Sequence, residues 1–200
     1  MRIHAICPAM ALAAGVIAVA QQPQARPAPQ RYRSKVAVFD VATRSMSLVY
    51  EMDQTVEAPN WSRDGKHLLV NTGGNLYRLA LGVTPASLEK IELGEGGYRC
   101  NNDHDYSPDG RLIAFSASSA ASRQSQVYVA KADGSGVKLL TPAAPSYFHG
   151  WSPDGKWLAF VGQRNGKFEL YRVPVEGGAG GILAEIGTGP HDPKRQYILA

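Results

Sequence analysis

Trp-Ser-Pro-Asp-Gly at 151–155 repeats Tyr-Ser-Pro-Asp-Gly at 106–110 and Trp-Ser-Arg-Asp-Gly at 61–65, each copy 45 residues from the next. The composition of this box is that of a tight turn. Pro presets φ at the second turn position, Asp suits the third, and Gly accepts the left-handed conformation that follows. Arg63 stands in for Pro in the first copy, which a type I turn tolerates. Such a turn, closing into a bulge, joins two antiparallel strands.

The flanks of the three boxes also match. After each box comes an apolar run: HLLVN (67–71), RLIAFSA (111–117) and KWLAFVG (156–162). A second run follows: NLYRLAL (75–81), QVYVAKA (126–132) and ELYRVPV (169–175). Each of these places an aliphatic residue before Tyr, as Leu76-Tyr77, Val127-Tyr128 and Leu170-Tyr171. A third run is LEKIEL (88–93), VKLLT (137–141) or GILAEI (181–186). With the strand that ends in the box, each unit offers four short strands separated by Gly, Asp and Asn turns.

A four-stranded unit recurring every 40–50 residues or so is the signature of a β-propeller blade. The fold class expected is all-β, a β-propeller of four-stranded blades. One such sheet cannot cover both its faces, so neighbours must stack around an axis. Trp61, Tyr106 and Trp151 are then expected to pack between blades. Asp64, Gly65, Asp109, Gly110, Asp154 and Gly155 are the turn formers. The segment KVAVFDVATRSMSLVYEM (35–52) reads as the third and fourth strands of a further blade, with Ala42-Thr43-Arg44 at their turn.

A fourth box falls due near 196–200, where the chain reads GTGPHDPKRQYILA (187–200). The expectation over 35–200 is therefore a partial propeller, about three full blades plus partial ones. Three origins fit: a fragment, a frameshifted end, or an open arc. The exposed edges of an arc would favour self-association.

The bulk numbers fit an ordinary soluble protein: 44% hydrophobic, 19% charged and a formal charge of +4. No basic stripe or stacking motif suggests a nucleic-acid partner. The first residues carry Arg2, an apolar run from Ala5 to Ala20 and the small-x-small stretch Ala18-Val19-Ala20. That is the layout of a signal peptide over 1–20. The run is short for a membrane span, so a periplasmic or secreted protein with no stable span after cleavage is expected. Residues 21–34, QQPQARPAPQRYRS, read as a flexible leader rich in Pro, Gln and Arg. Cys7 would leave with the signal peptide, and Cys100 reads as a small buried hydrophobe.

The register of the repeat singles out one constellation. His104 and His149 each lie three residues before a box serine, Ser107 and Ser152, and Pro59 holds that place in the first unit. These residues belong to the innermost strand, which lines a propeller's channel. Asp103 and Asp105 flank His104, and His191 and Asp192 fall where a further inner strand would start. Two readings stand. The histidines bond neighbouring backbone and are duplicated with the unit, or they hold a ligand or a divalent metal in the channel. There is no HExxH helix, paired CxxC or phosphate loop, and Gly177–Gly181 sits at a turn between outer strands. Asn60-Trp61-Ser62 matches a glycosylation sequon inside the box and is taken as coincidence.

The boxes WSRDG, YSPDG and WSPDG, each followed by an apolar strand and an aliphatic-Tyr strand, resemble the PD40 or WD40-like repeats of the TolB family. The resemblance covers about residues 35–186. It implies an exported, non-enzymatic propeller that works without a cofactor and binds a protein or cell-envelope component, as TolB binds the peptidoglycan-associated lipoprotein in the Tol–Pal system. TolB carries an α/β domain ahead of its propeller, and here a Pro-rich leader precedes the first strands. Two other families use similar blades. Oligogalacturonate lyases, carbohydrate-active enzymes, hold a divalent metal with channel histidines, which here would be His104 and His149. Prolyl oligopeptidase-type peptidases place such a propeller before a hydrolase domain, but no G-x-S-x-G elbow occurs in this chain.

Overall fold

The structure, a computed structural model, describes residues 33–184. The proposed signal peptide, residues 21–32 of the leader, His191 and Asp192 lie outside the described residues. Every regular element within them is a strand. β1 (Ser34–Asp40) and β2 (Ser45–Met52) form a two-stranded antiparallel sheet. Three four-stranded antiparallel sheets follow. The first contains β3 (Glu57–Trp61), β4 (His67–Thr72), β5 (Asn75–Ala80) and β6 (Leu88–Lys90). The second contains β7 (Arg99–Tyr106), β8 (Leu112–Ser118), β9 (Gln126–Lys131) and β10 (Lys138–Leu139). The third contains β11 (Ser146–Trp151), β12 (Trp157–Arg164), β13 (Lys167–Pro174) and β14 (Gly181–Ala184). These are blades 1 to 3 of the expected propeller, preceded by the outer half of another.

The box turns explain where strands start. In each box the serine hydroxyl donates to the aspartate, at 2.7, 2.6 and 2.6 Å for Ser62, Ser107 and Ser152. The same hydroxyl accepts the amide that opens the next strand, from His67, Leu112 and Trp157, at 2.9 Å each. The aspartate also accepts the amide of Lys66, Arg111 or Lys156. Arg111 and Lys156 thus belong to the turn, and β8 and β12 begin one residue later than the sequence suggested. Gly65, Gly110 and Gly155 sit at φ of 71°, 73° and 70°, the left-handed conformation that a Cβ would strain. All three aspartates are held below the usual carboxylate range, first by the serine hydroxyl and then by a backbone amide.

The outer strands are shorter than the apolar runs imply. β10 stops at Leu139 because Leu140 and Thr141 both turn their amides to the Val127 carbonyl, while the Thr141 hydroxyl takes the Val127 amide. β1 opens at Ser34, the last residue assigned to the leader.

Apolar cores lie at the seams between blades. At the seam of blades 1 and 2, Leu69, Leu76 and Ile91 meet Tyr106, Ile113, Phe115 and Tyr128. At the next seam, Ala114, Val127 and Leu140 meet Phe148, Leu158, Phe160 and Val173. In blades 2 and 3 the tyrosine of the aliphatic-Tyr pair lies opposite a strand-two phenylalanine and stacks on it, while in blade 1 Tyr77 lies opposite Val70. The centroids are 5.6 Å apart for Phe115–Tyr128 and 5.4 Å for Phe160–Tyr171. Each fully buried side chain of this size contributes about 1.5–3 kcal/mol.

The three box aromatics fare differently. Tyr106 is buried, Trp151 packs on its seam half-buried, and Trp61 is half exposed. Trp61 departs from the inter-blade packing expected of it. The sheet ahead of it, β1 and β2, offers no inner strands among the described residues. That sheet also leaves one face open, with Phe39, Met46 and Leu48 exposed and Phe39 paired across the strands with Met46.

Candidate functional site

The first strands of successive blades touch across the seams, β3 against β7 and β7 against β11. As the first strands of their blades they hold the place of the inner wall in a propeller. Each carries a β-bulge just ahead of its box. In β3, Ala58 and Pro59 together oppose one residue of β4. In β7, Asn101, Asn102 and Asp103 oppose one residue of β8. In β11, His149 is the extra residue between paired Phe148 and Gly150. Bulges re-aim side chains and bend strands, and they gather beside binding sites. Ala58 takes φ of 49°, a conformation uncommon outside glycine.

The bulges separate the two channel histidines. Tyr106 and Trp151 pair with equivalent residues, Ile113 and Leu158, so the boxes themselves are in register. Two positions further in, β7 sets His104 opposite Phe115, whereas β11 sets Phe148 opposite Phe160. His104 is therefore buried at 4% exposure, and His149 is exposed in its bulge. Burial lowers the His104 pKa from 6.5 to about 4, so the ring is neutral near pH 7. Its Nε2 is buried and has no hydrogen-bond partner among the described residues.

Asp103 is turned inward on its own bulge. Its side chain accepts from the Asn101 amide at 2.9 Å, and its backbone amide donates to Asn101 Oδ1 at 3.0 Å. Asp105 accepts from the Tyr106 amide at 2.7 Å. Burial raises its pKa, and that amide and the Arg63 charge work against the rise. The four channel candidates thus do not converge on one point. Among the described residues no group of three His, Cys, Asp or Glu side chains stands placed to hold a metal ion. Cys100 is buried, and burial pushes its thiol up to about 12, which leaves it unreactive.

The blade 2 wall strand is held from both sides. Asn60 of blade 1 donates to the His104 carbonyl at 2.7 Å. Arg63 donates to the Tyr106 and Ser107 carbonyls at 3.3 and 3.0 Å. The Trp151 indole of blade 3 reaches the Asp105 carbonyl at 3.4 Å. The third box residue also packs against the next blade. A Cβ on Gly110 would meet Arg63 Cγ at 3.3 Å, and one on Gly155 would meet Pro108 Cδ at 3.6 Å.

Asn60, Arg63 and the three box serines are residues that sequence reasoning missed. The serines did carry a signal, being identical in all three boxes. Asn60 carried a misleading one in its sequon. On these inner strands Glu57, Pro59, Asn102 and His149 are exposed.

An arc of four-stranded antiparallel blades, pinned by Ser-x-Asp-Gly turns and converging on a bulged inner wall, defines a β-propeller of the WD40-like kind. The profile of the PD40 family, the TolB beta propeller domain, matches residues 29–194. The chain belongs to that family. It is 42% identical over 160 residues to an uncharacterized protein of Agrobacterium fabrum, covering 80% of this chain and 53% of that one. A candidate TolB from Agrobacterium tumefaciens, known as a solved structure, superposes with a TM-score of 0.71 at 40% identity. That match covers 78% of this chain and 55% of the other. The Tol-Pal system protein TolB of Francisella tularensis subsp. mediasiatica is 25% identical over 127 residues, covering 62% of this chain and 28% of its own length. The chain thus spans about half, or less, of the length of the relatives it matches.

Proposed function

We propose that this chain is an exported, non-enzymatic propeller that binds a protein or cell-envelope ligand at the bulged inner wall. The observation that carries the reading is the coincidence of three bulges on three adjacent wall strands. A wall built only to be packed has no need of bulges at matching places. Here they turn Pro59, Asn102 and His149 out of the ladder and leave them exposed. The likeness to a Tol-Pal system protein supports an envelope partner. The Ala5–Ala20 run supports export. No helix among the described residues is long and apolar enough to cross a membrane. The reading requires no cofactor.

The test is cell fractionation followed by site-directed photocrosslinking in intact cells. A crosslinker at Asn102 or His149 should capture one discrete envelope protein. The same crosslinker at Asn165, in the exposed turn between β12 and β13, should not. Capture at all three positions, or a chain retained in the cytoplasm, would overturn the reading.

A further inference from the structure

Blade 2 keeps a polar ring where blade 3 does without one. Phe148 stands opposite Phe160, so the repeat accepts an apolar ring at that place. In blade 2 the place opposite Phe115 is taken by His104, with Nε2 buried and bonded to nothing among the described residues. A buried donor or acceptor left unmet costs stability, and its retention asks for a reason.

The reason lies across the seam. The Asn60 side-chain nitrogen has two hydrogens, and two carbonyls take them: Ala58 at 3.1 Å on its own bulge and His104 at 2.7 Å on the next strand. His104 Nδ1 lies 3.4 Å from the same nitrogen. Nδ1 can share the hydrogen that Asn60 gives the His104 carbonyl only as an acceptor, and the neutral ring then carries its own hydrogen on Nε2. Protonation places a second hydrogen on Nδ1, pointed at the hydrogens of Asn60. It also leaves a cation with no acceptor at Nε2. The charged and titratable groups on the surrounding strands are Glu57 on β3, His67 on β4, Tyr77 and Arg78 on β5, Arg99, Cys100, Asp103, Asp105 and Tyr106 on β7 itself, and Tyr147 and His149 on β11. β8 contributes none. None of them hydrogen-bonds or ion-pairs with the ring among the described residues.

We propose that His104 and Asn60 form an acid-sensitive latch in the channel wall. Protonation of the imidazole expels the Asn60 amide, releases the β3 bulge from the β7 bulge and loosens the seam of blades 1 and 2. Ala58, held at positive φ by that bulge, is then free to relax. The seam of blades 2 and 3 has no such latch. There Asp105 of blade 2 occupies the Asn60 place, Phe148 of blade 3 stands where His104 stands, and His149 is exposed. Burial keeps the closed ring neutral until about pH 4, while a ring exposed by opening takes its proton below 6.5, so opening gains ground as the pH falls from 6.5 to about 4. The latch is a property of the wall and does not depend on any ligand bound there.

Hydrogen exchange on the 200-residue chain tests this, from pH 7 down to pH 4, with rates corrected for the intrinsic pH dependence of exchange. Segments 57–61 and 99–106 should lose protection about tenfold or more, while 146–151 keeps its protection. The His104→Phe variant should show no such loss. NMR of the His104 ring in the unsubstituted protein should report proton uptake centred near pH 4, at the acid end of that range. Three results would overturn the latch: equal loss in His104→Phe, loss in all three wall strands together, or ring protonation with protection in β3 and β7 unchanged.

Discussion

His104 and His149 hold the same place in consecutive repeats and meet opposite environments. Both stand three residues before a box serine, on the first strand of a blade. One is sealed opposite Phe115 and bears on the neighbouring blade through Asn60. The other stands out of the ladder beside paired Phe148. The difference comes from where the ladder resumes after the bulge. In β7 it resumes at His104, after two extra residues. In β11 the single extra residue is the histidine itself. Because side chains alternate along a strand, a displacement of one residue exchanges the core face for the channel face. Repeat equivalence in sequence is therefore not equivalence in space, and the packing on either side of a bulge decides which residue goes in.

The most forceful way to break the comparison is through the box aromatics, which divide along the same line. Tyr106 is 4% exposed and Trp61 50% exposed. Tyr106→Ala empties a ring-sized space at the seam of blades 1 and 2 and should cost about 3–5 kcal/mol. Trp61→Ala should cost less than about 1 kcal/mol, because its ring has little packing to lose. Urea unfolding of the two variants measures the gap. Equal losses would mean that Trp61 is covered by something beyond the described residues.

Acid sharpens the comparison next. The His104 pKa falls from 6.5 to about 4 on folding. The unfolded chain therefore takes up this proton first. Stability from His104 is intact above pH 6.5 and is lost as the pH falls from 6.5 through 4. The full loss is about 3 kcal/mol at 1.36 kcal/mol per unit. Unfolding free energies of the natural chain and His104→Phe, at pH 7 and pH 4, should diverge by that order. Parallel curves would show that the ring does not bind its proton differently in the two states.

Exchanging the two rings gives a smaller effect with opposite signs. Phe148→His places an imidazole in an apolar seam and should destabilise the chain by about 1–3 kcal/mol. His104→Phe at pH 7 should be neutral or stabilising by about 1 kcal/mol, since it removes an unmet donor from the same kind of site. If His104→Phe were strongly destabilising, Nε2 must have a partner, such as a buried water, that outweighs the apolar gain.

These contrasts also mark what could be read in the sequence. The Ser-x-Asp-Gly turns, the four strands of each blade and the aliphatic-Tyr pairs were legible, because local turn chemistry and alternation fix them. The shortened β10 was not, because the Thr141 hydroxyl diverts the outer strand by a bond that no periodicity reveals. Nor was the separation of His104 from His149. Phe148-His149 offers a ladder either residue for the place opposite Phe160, and only the three-dimensional packing selects Phe148. Asn60 was hidden for a related reason. Its partner is a carbonyl 44 residues away, and backbone carbonyls leave no mark in a sequence.

The smallest expected effect carries the most for function. His149 is exposed in its bulge, so His149→Ala should leave stability within about 0.5 kcal/mol of the natural chain. The same substitution removes an exposed side chain from the inner strand of blade 3. If the wall is the binding surface, it should weaken capture by a crosslinker placed at Asn102 while the unfolding midpoint stays put. His104→Phe should leave capture at pH 7 intact and show its effect on the unfolding midpoint at pH 4. A His149→Ala chain with lost stability would show that this histidine is packed, and that the two repeats are alike after all. Unchanged capture with unchanged stability would leave β11 as plain wall and move the binding surface toward the wider bulge of β7, where Asn101, Asn102 and Asp103 stand together out of the ladder.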